Sequence, residues 1–590
     1  MNNSASGVAR PCLWIDTQTD ANITLMAQTL GISETGARIL ANRGLRSRNA
    51  AVMYLNPALK FLHDEALLTD MGKAVLVVGE AVASGKQIVV YGDYDVDGVT
   101  SVAILVKMLR ALGGEVRYYI PGRETEGYGM NLAAVEALAH DGAELIITCD
   151  NGISANREIA RAKELGMEVV VIDHHETDGA LPPANAIVDP KRPDCDYPFK
   201  HLCAAALCYK FAHALSAEFG VEYWERLETD LLILAGFGTI CDIVPLIGEN
   251  RIIATNALAA MNRGHVYGGL RALFAARGLL GKVVSVRDMG FVLGPCINAA
   301  GRLDRADLAV ELFLSDDENR ASALAERLSA LNDQRKLFTE AARERAAARL
   351  CDLAGDKVYV VFDEEAPESV SGIVAGRIKD QTGHPVIMLS RAKESGLVKG
   401  SGRSIKGYNL FAALHAHREL FERFGGHEMA AGLTMREEHI AELSRRLNAD
   451  CALVEDDFAK KLHVDAWLKP AELTMPLAAE LARLEPFGSD NPEPLFAVAD
   501  IRCENLQRIG ANKKTLRFTF EHKLQGIAFG KFDDFCQILT TSLGQDTVNA
   551  WLSGQPLPRI TMDIAFHLNI NEYNGLTSVQ LNVADFRSKD

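Results

Sequence analysis

Across residues 86–189, short apolar runs alternate with longer stretches whose apolar residues recur at helical spacing. The runs at 88–91 (IVVY), 116–120 (VRYYI), 144–148 (ELIIT) and 169–172 (VVVI) read as buried strands, and 99–112, 131–140 and 155–165 as the helices between them. Such alternation predicts a parallel, doubly wound sheet. From 202 to 350 the strand pattern gives way to Ala/Leu-rich helix. It ends in 316–350, a highly charged stretch without Gly or Pro that reads as one long connecting helix. A second α/β pattern follows, with strand 357–362, helix 373–382, strand 385–389 and a Gly-rich region 396–432. Beyond Pro470, the segments 496–503, 515–520, 526–529 and 559–567 read as short strands of a small β-barrel. The expected architecture is multidomain α/β: a parallel-sheet domain (61–315), a connecting helix (316–352), a smaller α/β domain (353–460) and a β-barrel (461–590), preceded by a helical region (1–60).

The 590-residue length is that of several domains, each able to bury a core. Lys and Arg number 62 against 78 Asp and Glu, a net charge of −16, so any nucleic-acid partner has to meet basic residues concentrated in one place. No run of 18 uncharged apolar residues occurs and the first ten residues are polar, which predicts neither a membrane span nor a secretory signal. Eleven scattered cysteines, none spaced C-x-x-C, fit reduced thiols in a cytoplasmic protein better than a zinc ribbon or a disulfide scaffold.

The chemistry concentrates in YGDYDVDGVTS. The strand at 88–91 runs into Asp93, Asp95 and Asp97, and carboxylates this close repel one another unless cations neutralise them. The strand 144–148 ends in Cys149-Asp150-Asn151-Gly152, and 169–172 ends in Asp173-His174-His175. A further acid, Asp242, follows an apolar helix in GTICDIVPL. One such aspartate would need no more than a helix N-cap to explain it, and an EF-hand would want a Glu where Ile104 stands. Acids and imidazoles on several strand ends, where parallel sheets gather ligands, point instead to a metal site. Carboxylate-rich donors suit Mn²⁺ or Mg²⁺ better than structural Zn²⁺. Two such ions, about 3.5 to 4 Å apart, suit phosphoryl-transfer hydrolysis.

In this order, the D-x-D-x-D-G, D-N-G, D-H-H and D-I-V-P-L motifs resemble the DHH phosphoesterase superfamily. GPCINAAGRLD (294–304), GSGRS (400–404), FGGHEMAAG (424–432) and PFGSDNPEPLF (486–496) are similar to motifs of its RecJ-type branch, the single-stranded-DNA-specific 5′→3′ exonucleases. The resemblance implies a DHH domain, a DHHA1 domain and an OB-fold in that order. It also implies two-metal hydrolysis of single-stranded DNA to 5′ mononucleotides, in recombination and repair. Asp93, Asp95 and Asp150 would hold one metal, and Asp97, Asp150, His174 and Asp242 the other, with His175 beside the scissile phosphate. Arg123, Ser401 and Arg403 match the pocket for the 5′ phosphate, His427 the substrate-binding turn, and Asn332 and Arg335 positions facing the DNA. Arg508, Lys513, Lys514 and Arg517 lie near Phe518, Phe520 and Phe529 in the OB segment, where alternation assigns the phenylalanines mainly to the barrel core. Candidate partners are single-strand-binding protein and a helicase, and the expected state is a monomer. An alternative is a DHH phosphodiesterase acting on short oligoribonucleotides or cyclic dinucleotides, a group without the OB-fold.

Three features depart from the family pattern. Cys296 stands where an arginine is usual, with Arg302 nearby as a substitute. The H-x-G-V-x-G-I opening of the DHHA1 domain is here Pro367-Glu368-Ser369-Val370-Ser371-Gly372-Ile373. Ala204 and Ala206 replace glycines, which predicts tighter helix packing.

Overall fold

The computed structural model describes residues 12–123, 125–177, 179–393, 396–573 and 575–589. The chain forms two compact units. One comprises 56–341 with 486–491, and the other 1–55, 342–485 and 492–590. The long helix Glu318–Arg349 carries the chain from the first unit into the second.

In the first unit, five parallel strands lie in the order Val116–Tyr119, Ile88–Tyr91, Leu145–Cys149, Glu168–Ile172, Ala186–Val188. Alternate side chains go to opposite faces of the sheet. Ile88, Val90, Ile147, Val170 and Ile172 pack in one cluster with Val102 and Ile240 of the helices Val96–Ala111 and Trp224–Cys241. Val89, Tyr91, Ile146 and Val171 pack in another, against Leu132–His140 and Asn156–Glu164. Both faces are therefore covered, as a parallel sheet requires. Val116–Tyr119, expected as a buried strand, is the half-buried edge. Strand order reverses beside Ile88–Tyr91, which has the second strand on one side and the third on the other. The crevice where such sheets bind ligands opens at its carboxyl end. The segment Pro486–Asn491 belongs to this unit although its flanks do not. Its Ser489 carbonyl accepts from Leu246 N at 2.8 Å.

In the second unit, a mixed sheet runs Phe421–His427, Ala430–Arg436, Leu397–Arg403, Val386–Arg391, Tyr359–Phe362, with Glu368–Thr382 packed on it. That helix begins five residues ahead of the expected 373, so the altered opening is helical. Phe496–Ile509, Thr515–Phe520, Gln525–Ala528, Leu576–Ser588 and Ile560–Tyr573 close a five-stranded barrel, because the first also pairs with the last. Phe518 and Phe520 are buried in it and stacked at 5.3 Å, whereas Phe529 is 68% exposed. The helices Phe532–Leu543 and Gln545–Leu552, absent from the sequence expectation, interrupt the barrel. Near the N-terminus, ahead of three helices, Leu13–Asp16 forms a parallel pair with Lys461–Val464. The described cysteines form no disulfide, and among the described residues no helix is long and apolar enough to cross a membrane.

Candidate active site

The loop after Ile88–Tyr91 turns into the helix Val96–Ala111, whose N-cap is Asp95, its Oδ1 accepting from Gly98 N at 3.1 Å. Asp97 therefore sits in the first helical turn, fully buried. Its two oxygens accept from Ala204 N (2.8 Å) and Ala205 N (2.9 Å) at the start of a second helix, Ala204–Phe219. Two helix N-termini thus face one carboxylate, an arrangement that favours its charged form. Gly238 leaves the space, since a Cβ there would lie 2.7 Å from Asp97 Oδ1.

Asp150 leaves Leu145–Cys149 with φ +63°, the left-handed region that non-glycine residues avoid. Asn151 fixes this end by donating to the Cys149 carbonyl at 2.9 Å and the Tyr91 carbonyl at 3.4 Å. Tyr128 donates its hydroxyl to the Asp150 carbonyl at 2.8 Å and lies 3.2 Å from the His175 ring nitrogens. His174 Nε2 is 3.1 Å from Asp150 Oδ1, 3.7 Å from Asp97 Oδ2 and 3.8 Å from Asp242 Oδ2. Ligand atoms of Asp93, Asp95 and Asp150 lie within 4.8 Å of one another, as do those of Asp97, His174 and Asp242. The Asp150–His174 contact joins the two groups.

Asp173 is engaged differently. Its Oδ2 accepts from Ile153 N (2.9 Å) and its Oδ1 from His174 N (2.7 Å) and from His175 Nδ1 (2.7 Å), so it anchors the imidazoles. Burial would lower His175, but the Asp173 hydrogen bond and charge raise it to about 9. His174 is lowered, mainly by burial, and so presents a neutral ring. Burial pushes Asp93, Asp97 and Asp150 up, and neighbouring carboxylates add to it. Asp242 reaches about 8, through burial and then the charges of Asp97 and Asp95. Among the described residues, none donates to the buried Oδ1 of Asp93. Crowded acids held against their own repulsion, an orphaned carboxylate oxygen and a neutral imidazole fit hard divalent cations.

Of the remaining candidates, Arg123 stacks on Tyr94 at 5.0 Å, and Arg302 is half-buried one residue past Gly301, which faces the Tyr94 carbonyl. Cys296 is buried. Asn332 Nδ2 reaches its sulfur at 3.5 Å, while Asn332 Oδ1 accepts from Arg335 Nη2 at 2.9 Å. Ser401, Arg403 and His427 belong to the second unit. There Arg403 Nη1 donates to Ser401 Oγ and to the Gly402 carbonyl, both at 2.8 Å, and His427 ends the strand Phe421–His427. Sequence reasoning missed Tyr128, Asn151 and the anchoring part of Asp173. The only available signal for the first was its place in the same GYG loop as Arg123.

A parallel sheet carrying acids and imidazoles at adjoining strand ends, followed by a mixed-sheet domain and an OB-type barrel, defines a metal-dependent phosphoesterase of the DHH class. Residues 87–239 match the DHH family N-terminal domain, 354–452 the DHHA1 domain and 464–585 the RecJ OB domain. The chain is 35% identical to the single-stranded-DNA-specific exonuclease RecJ of Bacillus subtilis, over 95% of this chain and 69% of that one. It is also 35% identical to RecJ of Dickeya dadantii, over 92% and 94%. RecJ of Thermus thermophilus, solved in complex with Mn²⁺, superposes with a TM-score of 0.80 at 29% identity, covering 98% of this chain and 80% of that one. Its Mg²⁺ complex gives 0.74. The chain belongs to the RecJ family of single-stranded-DNA-specific exonucleases.

Proposed function

We propose that this chain hydrolyses single-stranded DNA from its 5′ end, releasing 5′ mononucleotides in recombination and repair, with two Mn²⁺ or Mg²⁺ ions held by Asp93, Asp95, Asp97, Asp150, His174 and Asp242. The observation that carries the reading is the meeting of two carboxylate-rich groups at Asp150 and His174. Bound there, divalent cations supply an activated water and neutralise charge on the leaving oxygen. His175, anchored by Asp173, donates toward the non-bridging phosphate oxygens and offsets charge that grows in the transition state. Arg335, tied to Asn332, is the buried cation in the neighbourhood where the family arginine is replaced by Cys296. Ser401 and Arg403 take the terminal 5′ phosphate, with Arg123 as a further cation and His427 on the substrate turn. The OB barrel supplies Phe529 and nearby basic residues to the strand. Single-strand-binding protein and a helicase are the candidate protein partners of a cytoplasmic monomer.

The test is nuclease activity with Mn²⁺ on a 5′-phosphorylated single-stranded oligodeoxynucleotide, beside its duplex, its RNA counterpart and the Asp150→Ala protein. Mononucleotides released from the single strand and abolished by Asp150→Ala are expected. Cleavage confined to RNAs of a few nucleotides would transfer the assignment to a small-substrate phosphodiesterase.

A further inference from the structure

The helix Glu368–Thr382 carries two interior glycines, Gly372 and Gly376, one turn apart. Each costs about 1 kcal/mol of helix stability relative to alanine. The structure supplies a reason for only one. A Cβ on Gly372 would lie 2.8 Å from Arg403 Nη2 and 2.9 Å from Ser401 Oγ, whereas a Cβ on Gly376 would meet nothing within 4 Å. Arg403 and Ser401 stand two apart on Leu397–Arg403, joined by the 2.8 Å hydrogen bond, and their polar ends rest against the bare backbone at position 372.

Both atoms in the way are side-chain ends, so a Cβ would be met by rotation of the Arg403 and Ser401 side chains, at the cost of the hydrogen bond between them, and not by a shift of the backbone. A methyl group at 372 would therefore spare the fold and displace the guanidinium and hydroxyl together. We infer that Gly372 is a positioning residue for 5′-end recognition: its missing side chain is the space in which Arg403 and Ser401 are held in register for a terminal phosphate. This rests on the proposal that these two residues bind that phosphate. An arginine fork gains its strength from geometry, so a displaced guanidinium loses its second hydrogen bond while keeping its charge.

The experiment measures kcat/KM of the full chain on matched single-stranded oligonucleotides bearing a 5′ phosphate or a 5′ hydroxyl, for wild type, Gly372→Ala, Gly376→Ala, Arg403→Ala and Gly372→Ala/Arg403→Ala, with thermal melting of each. Arg403→Ala is expected to cut the phosphate preference about tenfold or more. Gly372→Ala should do the same with melting unchanged or raised, Gly376→Ala should keep the wild-type preference, and the double variant should lose no more than Arg403→Ala alone. If Arg403→Ala loses the preference and Gly372→Ala retains it, or if Gly376→Ala loses as much as Gly372→Ala, the spacing argument is overturned and the pocket stands. Losses that add in the double variant overturn it as well. If Arg403→Ala keeps the preference, the pocket itself is wrong, and the inference falls with it.

Discussion

Replacing Tyr128 with Phe removes one oxygen atom and retains the ring, which packs edge-on against His175 with centroids 5.6 Å apart. What is lost is the hydrogen bond to the Asp150 carbonyl at 2.8 Å and the 3.2 Å approach to His175. A single hydrogen bond of this kind contributes about 0.5 to 1.5 kcal/mol. Here it holds a residue at φ +63°, a conformation costing about 1 to 3 kcal/mol that persists only while its surroundings enforce it. Asp150 lies in one ligand group and touches His174 of the other, so its relaxation is felt by both. A loss of about 1.4 kcal/mol corresponds to tenfold in rate. Tyr128→Phe should therefore lower kcat on single-stranded DNA about tenfold and raise the Mn²⁺ concentration for half-maximal activity by a similar factor, the scale seen when groups supporting a metal ligand are removed. The assay is a Mn²⁺ titration of nuclease activity at saturating DNA, with thermal melting as the control. A variant within about twofold of wild type in both kcat and Mn²⁺ dependence would refute the reasoning and leave Asp150 held by Asn151 and the strand alone.

Asp97 and Asp242, read alike from sequence, should separate in the metal-free protein. Asp97→Ala strips two hydrogen bonds from the start of Ala204–Phe219 and should lower the melting temperature by the equivalent of about 1 to 2 kcal/mol. Asp242 has a folded pKa of about 8, above its unfolded value, so the folded state binds the extra proton and stability falls as pH rises from about 4 toward 8. Asp242→Asn should remove its share of that slope, with Asp93, Asp97 and Asp150 supplying the remainder. Melting in EDTA at pH 5 and pH 8 checks both, and parallel slopes for Asp242→Asn and wild type would count against the repulsion argument. In the barrel, Phe518→Ala should cost about 3 to 5 kcal/mol of stability, while Phe529→Ala should leave melting unchanged and weaken binding of single-stranded DNA by about 1 to 3 kcal/mol, read by fluorescence anisotropy. Wild-type affinity in Phe529→Ala would remove that ring from the binding surface.

The acids of the site were legible because strand and carboxylate are neighbours in sequence: an apolar run ending in Asp places the acid at a strand end whatever the rest of the chain does. Tyr128, 22 residues before the carbonyl it holds, follows no such rule. Nor does the chain of contacts from Arg335 through Asn332 to Cys296, which depends on one helix lying against another. The edge position of Val116–Tyr119 and the closing strand of the barrel depend on pairing order, which side-chain periodicity does not encode. The early start of Glu368–Thr382 was hidden by Pro367 and two serines, residues that punctuate loops but also suit a first helical turn.

The pairing of Leu13–Asp16 with Lys461–Val464 sets a schedule on synthesis. At roughly 5 to 20 residues per second, the partner of Leu13 leaves the ribosome about 20 to 90 s after it. The catalytic sheet, whose last strand ends at Val188, is complete long before. During that interval the LWID strand has an open edge with Trp14 upon it, the kind of segment that recruits a wrong partner. This strand thus waits for a partner made much later, and the yield of folded chain should respond to elongation rate and to chaperone holding of the nascent segment around Trp14.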